Sequence, residues 1–246
     1  MSMKADGIFI TGTDTGVGKT LIAAGLVAVL KDQGIDVGVM KPLESGAPSF
    51  GSAPIPRDAL YLKEIAGVHD DLDLINPYCF QSQLAPGVAA EKEGVQIDLL
   101  RIKGMYDELK GRHQFMVVEG AGGLLVPVAQ GVLLPELIKL MDLPLLLVAR
   151  SSLGTINHTL LSLFYCQQEG LEVAGVIMSK STPDADPSEE SNAQVVTQLS
   201  AVPLLGSFPY LRDYGGVRGN RAFLVQIFTE HIDMEKLLER LGLTGC

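Results

Sequence analysis

Two hydrophobic rhythms alternate along this chain. Short segments that are apolar at almost every position read as strands: GIFIT (7–11), DVGVMKP (36–42), QFMVVEG (114–120), LPLLLVAR (143–150), EVAGVIMSK (172–180) and VPLLGSFPYL (202–211). Between them lie stretches of helical period or composition, from Gly18 to about Gln33, from Asp58, over 96–113, over 134–142, over 151–170 after a short loop, and over about 188–200. GAPSFGSAPIPR (46–57) is dense in Gly, Pro and Ser and reads as a loop. Two more helical pieces follow near 217–229 and 233–241. Strands apolar throughout, rather than at alternate positions, are buried on both faces. The pattern predicts an α/β fold, a mostly parallel sheet with helices on both sides. It predicts one domain over 1–246, with 212–246 as a helical tail.

Composition narrows the partners. Of 246 residues, 47% are hydrophobic but only 6% aromatic, so the core must be mostly aliphatic. The net charge is −10 and no basic run is present, which argues against nucleic acid. The longest apolar runs, 143–149 and 21–30, are too short to span a bilayer, and no signal peptide is read at the start. Cys79, Cys166 and Cys246 are scattered, as expected of free thiols in the cytoplasm.

In a sheet of this kind chemistry gathers at the carboxyl ends of the strands. The first strand runs into GTDTGVGKT (12–20), between strand and helix. That context suits a phosphate-binding loop, whose glycines let backbone N–H groups curl round phosphate oxygens while a helix N-terminus adds partial positive charge. Lys19 would reach the terminal phosphates and Thr20 would offer a hydroxyl to Mg²⁺. The spacing is irregular, however. Thr13 stands where the usual first glycine belongs, and Gly12 comes one residue early.

Other strand ends supply Lys41 in KPLESG and Glu119 in EGAGG, with Asp58 opening a helix after a loop. Asp58 could equally be a helix cap, and Lys41 a solvated lysine. Glu119 closes a very apolar strand, where an unpartnered acid is costly and a metal would explain it. Two lysines, two acids and a GKT loop on one rim form a phosphoryl-transfer constellation. Lys19 itself is expected on the loop surface, contributing nothing to the core.

With these residues in view the chain resembles the dethiobiotin synthetase family of P-loop proteins. The resemblance rests on GTDTGVGKT (12–20), KPLESG (41–46), RDAL (57–60), NPY (76–78) with AP (85–86), VVEGAGGLLVP (117–127), LPLLLVA (143–149), LGTINHT (153–159) and PLLGSFPYL (203–211). The family's loop is longer by one residue, which accounts for the irregular spacing.

The resemblance implies ATP- and Mg²⁺-dependent carboxylation of 7,8-diaminononanoate with CO₂, and ring closure to dethiobiotin, ADP and phosphate. It implies catalytic roles for Lys41, Lys19 and Thr15. Substrate contacts would come from Ser45, Thr15 and, through backbone N–H groups at a helix N-terminus of a partner chain, Gly154, Thr155, Ile156 and Asn157. Nucleotide contacts would come from Thr13, Asp14, Thr15, Gly16, Val17, Gly18, Lys19, Thr20, Glu119, Gly122, Ser179, Pro209, Tyr210 and Leu211. Thr20, Asp58 and Glu119 would hold the metal, and the enzyme would be a homodimer. His158 is given no catalytic role.

The chain departs from the family in places. Ser179-Lys180 stands where the best-known members carry Asn-Asp, and that Asn reads the adenine edge. A hydroxyl offers less than an amide there, so weaker adenine selectivity is expected, with CTP or GTP accepted. Gly16 replaces an acid found in some members. One rival is a partition-type ATPase, but those carry a second lysine where this chain has Asp14, and the end HIDMEKLLERLGLTGC has mixed charge rather than a basic face. A cobyrinate-type amidase would need a further glutaminase domain. A non-catalytic nucleotide-binding paralogue would not need the retained lysines and acids.

Overall fold

A computed structural model describes residues 5–51, 53–211 and 220–243. The elements run β1 (Gly7–Gly12), α1 (Lys19–Asp32), β2 (Val37–Met40), β3 (Leu43–Glu44), β4 (Ser49–Phe50), β5 (Ala53–Pro54), α2 (Arg57–Ala66), α3 (Leu72–Ile75), β6 (Tyr78–Cys79), α4 (Pro86–Glu93) and α5 (Leu99–Lys110). They continue with β7 (Phe115–Gly123), β8 (Pro127–Ala129), β9 (Val132–Leu133), α6 (Leu134–Met141), β10 (Leu145–Arg150), α7 (Thr155–Gln168), β11 (Val173–Ser179), α8 (Glu189–Leu199) and β12 (Leu204–Phe208). Two tail helices close the series, α9 (Arg221–His231) and α10 (Met234–Arg240).

Six strands form one parallel sheet in the order β12-β11-β10-β1-β7-β2. The apolar runs follow from its two covered faces. On β1, Ile8 and Ile10 join the core under α1, α2 and the tail helices, whereas Phe9 joins the opposite core with Val118, Leu145 and Leu147. Consecutive side chains on a strand point to opposite faces, so a sheet buried on both sides needs apolar residues at every position. β1 lies between β7 and β10, where the chain order reverses, so its carboxyl end opens into a crevice.

The strands and long helices stand close to their expected places. The stretch 46–57 is not wholly loop, because β4 and β5 pair as a small antiparallel hairpin closed by Gly51 at φ 69°. Helix α5 is shorter than the predicted 96–113, since Asp98 accepts N–H bonds from Leu100 and Arg101 and so fixes the start. β7 continues past Glu119 to Gly123, and the following residues form the β8–β9 hairpin. The tail is partly in view. α9 packs on α1 with the Phe228 ring over Gly25, so closely that a Cβ at Gly25 would lie 2.2 Å from Phe228 Cδ2. Residues 212–219 and Cys246 lie outside the described residues.

Candidate active site

The loop between β1 and α1 folds around two glycines with left-handed backbone, Gly16 (φ 73°) and Gly18 (φ 94°). Gly18 occupies the N-cap of α1 and no side chain caps that helix, which leaves its first N–H groups to a ligand. The early glycine has its own reason. A Cβ at Gly12 would meet Val17 Cγ2 at 2.8 Å and the Asp14 carbonyl at 2.9 Å, so the loop doubles back against a residue that must lack a side chain. Val17 points into the core, so only its backbone can face a nucleotide. The Thr13 N–H donates to Val148 O at 2.9 Å, tying the loop to β10. Asp14 braces it further, accepting from Thr15 N–H at 2.7 Å and from the Arg150 guanidinium.

Lys19 is not on the surface as expected. It is 7% exposed, and its ammonium donates to the Asp14 carbonyl at 2.9 Å. Burial, helped by the neighbouring Lys41, lowers its pKa to about 8. The side chain lies folded back along its own loop.

Lys41 follows β2 and is buried. Its ammonium donates to Glu119 Oε1 at 2.6 Å and to the Gly120 carbonyl at 3.2 Å, and lies 3.4 Å from Asp58 Oδ2. Burial alone would disfavour its charge, but Glu119 and Asp58 outweigh that and raise its pKa. Burial pushes the Glu119 carboxyl up, opposed by Lys41. Thr20 Oγ1 donates to the same Glu119 oxygen at 2.8 Å. The acid expected to need a metal therefore already has Lys41 and Thr20 as partners. Its other oxygen, Oε2, is buried without one.

Thr20, Asp58 and Glu119 thus come together with Lys19 and Lys41 around one cavity of about 320 Å³, which Thr15, Ser45 and Gly122 also line. Next to it, Thr15, Ser45 and Gly122 border a second cavity of about 450 Å³ walled by Gln83, Pro86 and Val126. Gly122 (φ 66°) brings the EGAGG turn close to the loop, and a Cβ there would lie 3.6 Å from Thr15 Oγ1.

The remaining predicted residues do not line this cavity. Gly154 (φ 93°) sits at the N-cap of α7, which carries no side-chain cap. Thr155 is wholly buried, with its hydroxyl 3.3 Å from Thr159 Oγ1 and its N–H donated to Ser152 O. Gly154, Ile156 and Asn157 border an apolar hollow with Leu153, Leu161 and Phe164, apart from the lysine cavity. Ser179 ends β11 with its hydroxyl pressed under the phosphate loop, 2.6 Å from where a Cβ on Gly18 would stand. Pro209, Tyr210 and Leu211 follow β12, half-buried, and the Phe208 carbonyl accepts from Lys180 N–H at 2.9 Å.

Three contributors escaped the sequence reading. Arg150 braces Asp14. Asn76 donates from Nδ2 to the Lys41 carbonyl, fixing that backbone. Glu44 accepts from the N–H groups of Asp58 (3.1 Å) and Ala59 (3.2 Å). Arg150 and Glu44 also stand at strand ends, which was the available signal. Their partners are distant in sequence, which is why it was not enough.

Comparison with known proteins agrees with this fold. The family described as AAA domain matches residues 6–218. An ATP-dependent dethiobiotin synthetase from Bacillus licheniformis is 38% identical over 237 residues, covering 96% of this chain and 97% of the relative. A protein of the same name from Thermodesulfovibrio yellowstonii is 37% identical over 244 residues, covering 96% and 99%. Among solved structures, the MinC:MinD cell division complex of Aquifex aeolicus matches with a TM-score of 0.58 at 17% identity, covering 98% of this chain and 96% of that one. A ParA family ATPase from Chlorobium tepidum matches at 0.55 and 15% identity, covering 96% and 98%. The structural matches speak for the P-loop fold alone, whereas the sequence matches run nearly end to end at more than a third identity, and by them this chain belongs to the ATP-dependent dethiobiotin synthetase family.

Proposed function

We propose that this enzyme, an ATP-dependent ligase that forms C–N bonds, carboxylates 7,8-diaminononanoate and closes the ureido ring of dethiobiotin at the cavity between Lys19, Lys41 and Glu119. The observation that carries this reading is the meeting of both lysines, Thr20, Asp58 and Glu119 at the mouth of the phosphate loop, beside a second cavity that begins at Ser45 and Thr15. One substrate amine takes up CO₂ and loses a proton to give a carbamate. A carbamate oxygen attacks the γ-phosphorus of ATP, and the bond to the β-phosphate oxygen breaks, releasing ADP. The second amine then attacks the carbonyl of the carbamic–phosphoric anhydride and expels phosphate.

Each residue has a task in this scheme. The loop N–H groups and the start of α1 bind the phosphates. Lys19 swings from the Asp14 carbonyl to the transferring phosphoryl group, whose charge restores the full ammonium. Lys41, held charged by Glu119, faces the carbamate and the γ-phosphate. Ser45 and Thr15 orient the diamine, and the 450 Å³ cavity takes its chain. Much of the rate comes from holding carbamate, phosphate and amine in line.

The residues present fit Mg²⁺. Glu119 Oε2 is an orphaned buried oxygen, and Thr20 and Asp58 add hard donors beside it. Two lysines face three carboxylates here, counting Glu44, so the cavity has no surplus positive charge for a triphosphate. Two carboxylates, a hydroxyl and the nucleotide's own oxygens are the usual holders of this ion. When bound it would draw charge from the phosphates as the bond to ADP breaks.

A homodimer completes the reading. The uncapped N-terminus of α7 would receive the substrate's tail carboxylate from a partner's site, chiefly through Ile156 and Asn157 N–H. Base choice is expected to be loose, because Ser179 is buried under Gly18 and offers a single hydroxyl. The test is direct: incubate the protein with diaminononanoate, bicarbonate and Mg²⁺, with ATP in one tube and CTP in another, and follow dethiobiotin by mass spectrometry. Product in both tubes is expected. Product with ATP alone would overturn the loose base choice. Phosphate release without product would overturn the diamine assignment.

A further inference from the structure

Helix α2 begins in an unusual way. Its N-cap residue is Pro56, which has neither a capping side chain nor an N–H. A helix start leaves its first N–H groups without internal partners. Here Glu44, fourteen residues upstream on β3, supplies them. Its Oε1 accepts from Asp58 N–H at 3.1 Å and its Oε2 from Ala59 N–H at 3.2 Å. These are the second and third positions of the helix, the donors that an N-cap side chain ordinarily takes.

Glu44 is 5% exposed, although it lines the cavity with Asp58 and both lysines. A third acid so near a triphosphate site opposes anion binding, and burial is itself unfavourable for a carboxylate. The Asp58 side chain is 42% exposed and touches Lys41 only at 3.4 Å, so its own contacts do little to hold it. Its position comes from its backbone, and Glu44 holds that backbone.

We infer that Glu44 is a positioning residue. It caps α2 from outside the helix and so fixes the Asp58 carboxylate on the metal side of the cavity. This rests on the reading of Asp58 as a magnesium ligand. Gln can retain one of the two acceptors and should be a partial substitute. Asp is too short to span both donors.

Mn²⁺ binding to the protein with ADP, followed by electron paramagnetic resonance, tests the inference apart from turnover. The set is wild type, E44A, E44Q, D58A and E44A/D58A, each checked for folding by circular dichroism. E44A is expected to weaken Mn²⁺ about tenfold, the lower end of what removing a group that orients a metal ligand costs. E44Q should fall between E44A and wild type. In the D58A background, removing Glu44 should change nothing further. An equal loss in both backgrounds would overturn the inference, because Glu44 would then act through its charge or through general folding. So would unaltered Mn²⁺ binding in E44A. If D58A alone leaves Mn²⁺ binding intact, the failure lies in the metal reading of Asp58.

Discussion

Lys19 is the side chain whose setting changes expectations most. The free protein holds its ammonium against the Asp14 carbonyl, and burial lowers the pKa to about 8 from 10.5. Between those values the unfolded chain binds a proton that the folded chain lacks, so stability of the free protein rises as pH climbs through that window. At neutral pH the charged lysine therefore costs the fold on the order of 3 kcal/mol, which bound phosphate would relieve. Lys19→Met should abolish turnover, yet be at least as stable as wild type at pH 7 in urea melts without nucleotide. That advantage should shrink towards pH 10. A less stable variant at pH 7 would count against the buried, strained charge. Glu119 is the converse. Glu119→Ala leaves Lys41 buried without its main partner and should destabilise by about 3–5 kcal/mol as well as raise the Mg²⁺ requirement. Unchanged urea midpoints would show that Lys41 finds another partner.

Among elements, the strands were the most legible, because β1, β7, β10 and β11 are apolar on both faces and end at chemistry-bearing residues. The candidate site was legible to the same extent. Lys19, Thr20, Lys41 and Glu119 announce themselves by following strands, and they do converge. The two-residue strands β3 and β6 were not legible, since their pairing depends on segments more than thirty residues apart. Glu44 shares that fate, because a remote cap leaves no periodic trace. Nor does sequence say that Glu119 is already neutralised by Lys41. The tail belongs to the same argument. A helical piece was predicted near 217–229 without a packing partner, and in α9 Phe228 occupies the space that Gly25 of α1 leaves open. Gly25→Ala gains helix propensity but forces the ring or the helix to move, and overpacking of this kind should cost about 1–3 kcal/mol. A thermal melt that rises instead would show that α9 yields easily and that the tail is loosely attached.

At the scale of the whole molecule the surface is uneven in a way that one chain does not explain. Leu153 is 79% exposed, Phe164 61%, Leu161 59% and Leu125 58%, and three of these four lie on or beside α7. Large contiguous apolar surface on a monomer marks a partner site. The same helix begins with the uncapped turn at Gly154 and reaches back to the phosphate loop, where His158, Leu161 and Tyr165 wall a cavity of about 430 Å³ together with Thr13, Asp14 and Thr15. A second copy docked on α7 would cover the leucines and Phe164, and would bring its own α7 N-terminus towards the diamine cavity. The two needs, covering apolar surface and receiving a carboxylate, would then be met by one contact. A Leu161→Asp/Phe164→Asp variant places two charges in that contact and should weaken association by at least ~2 kcal/mol, or about thirtyfold, in sedimentation equilibrium. Its KM for the diamine should rise, because the tail carboxylate loses its helix N-terminus, whereas ADP affinity, set within one chain, should hold. A wild-type protein that sediments as a monomer at micromolar concentration would remove the partner from the site, and the tail carboxylate would then need a receptor on its own chain.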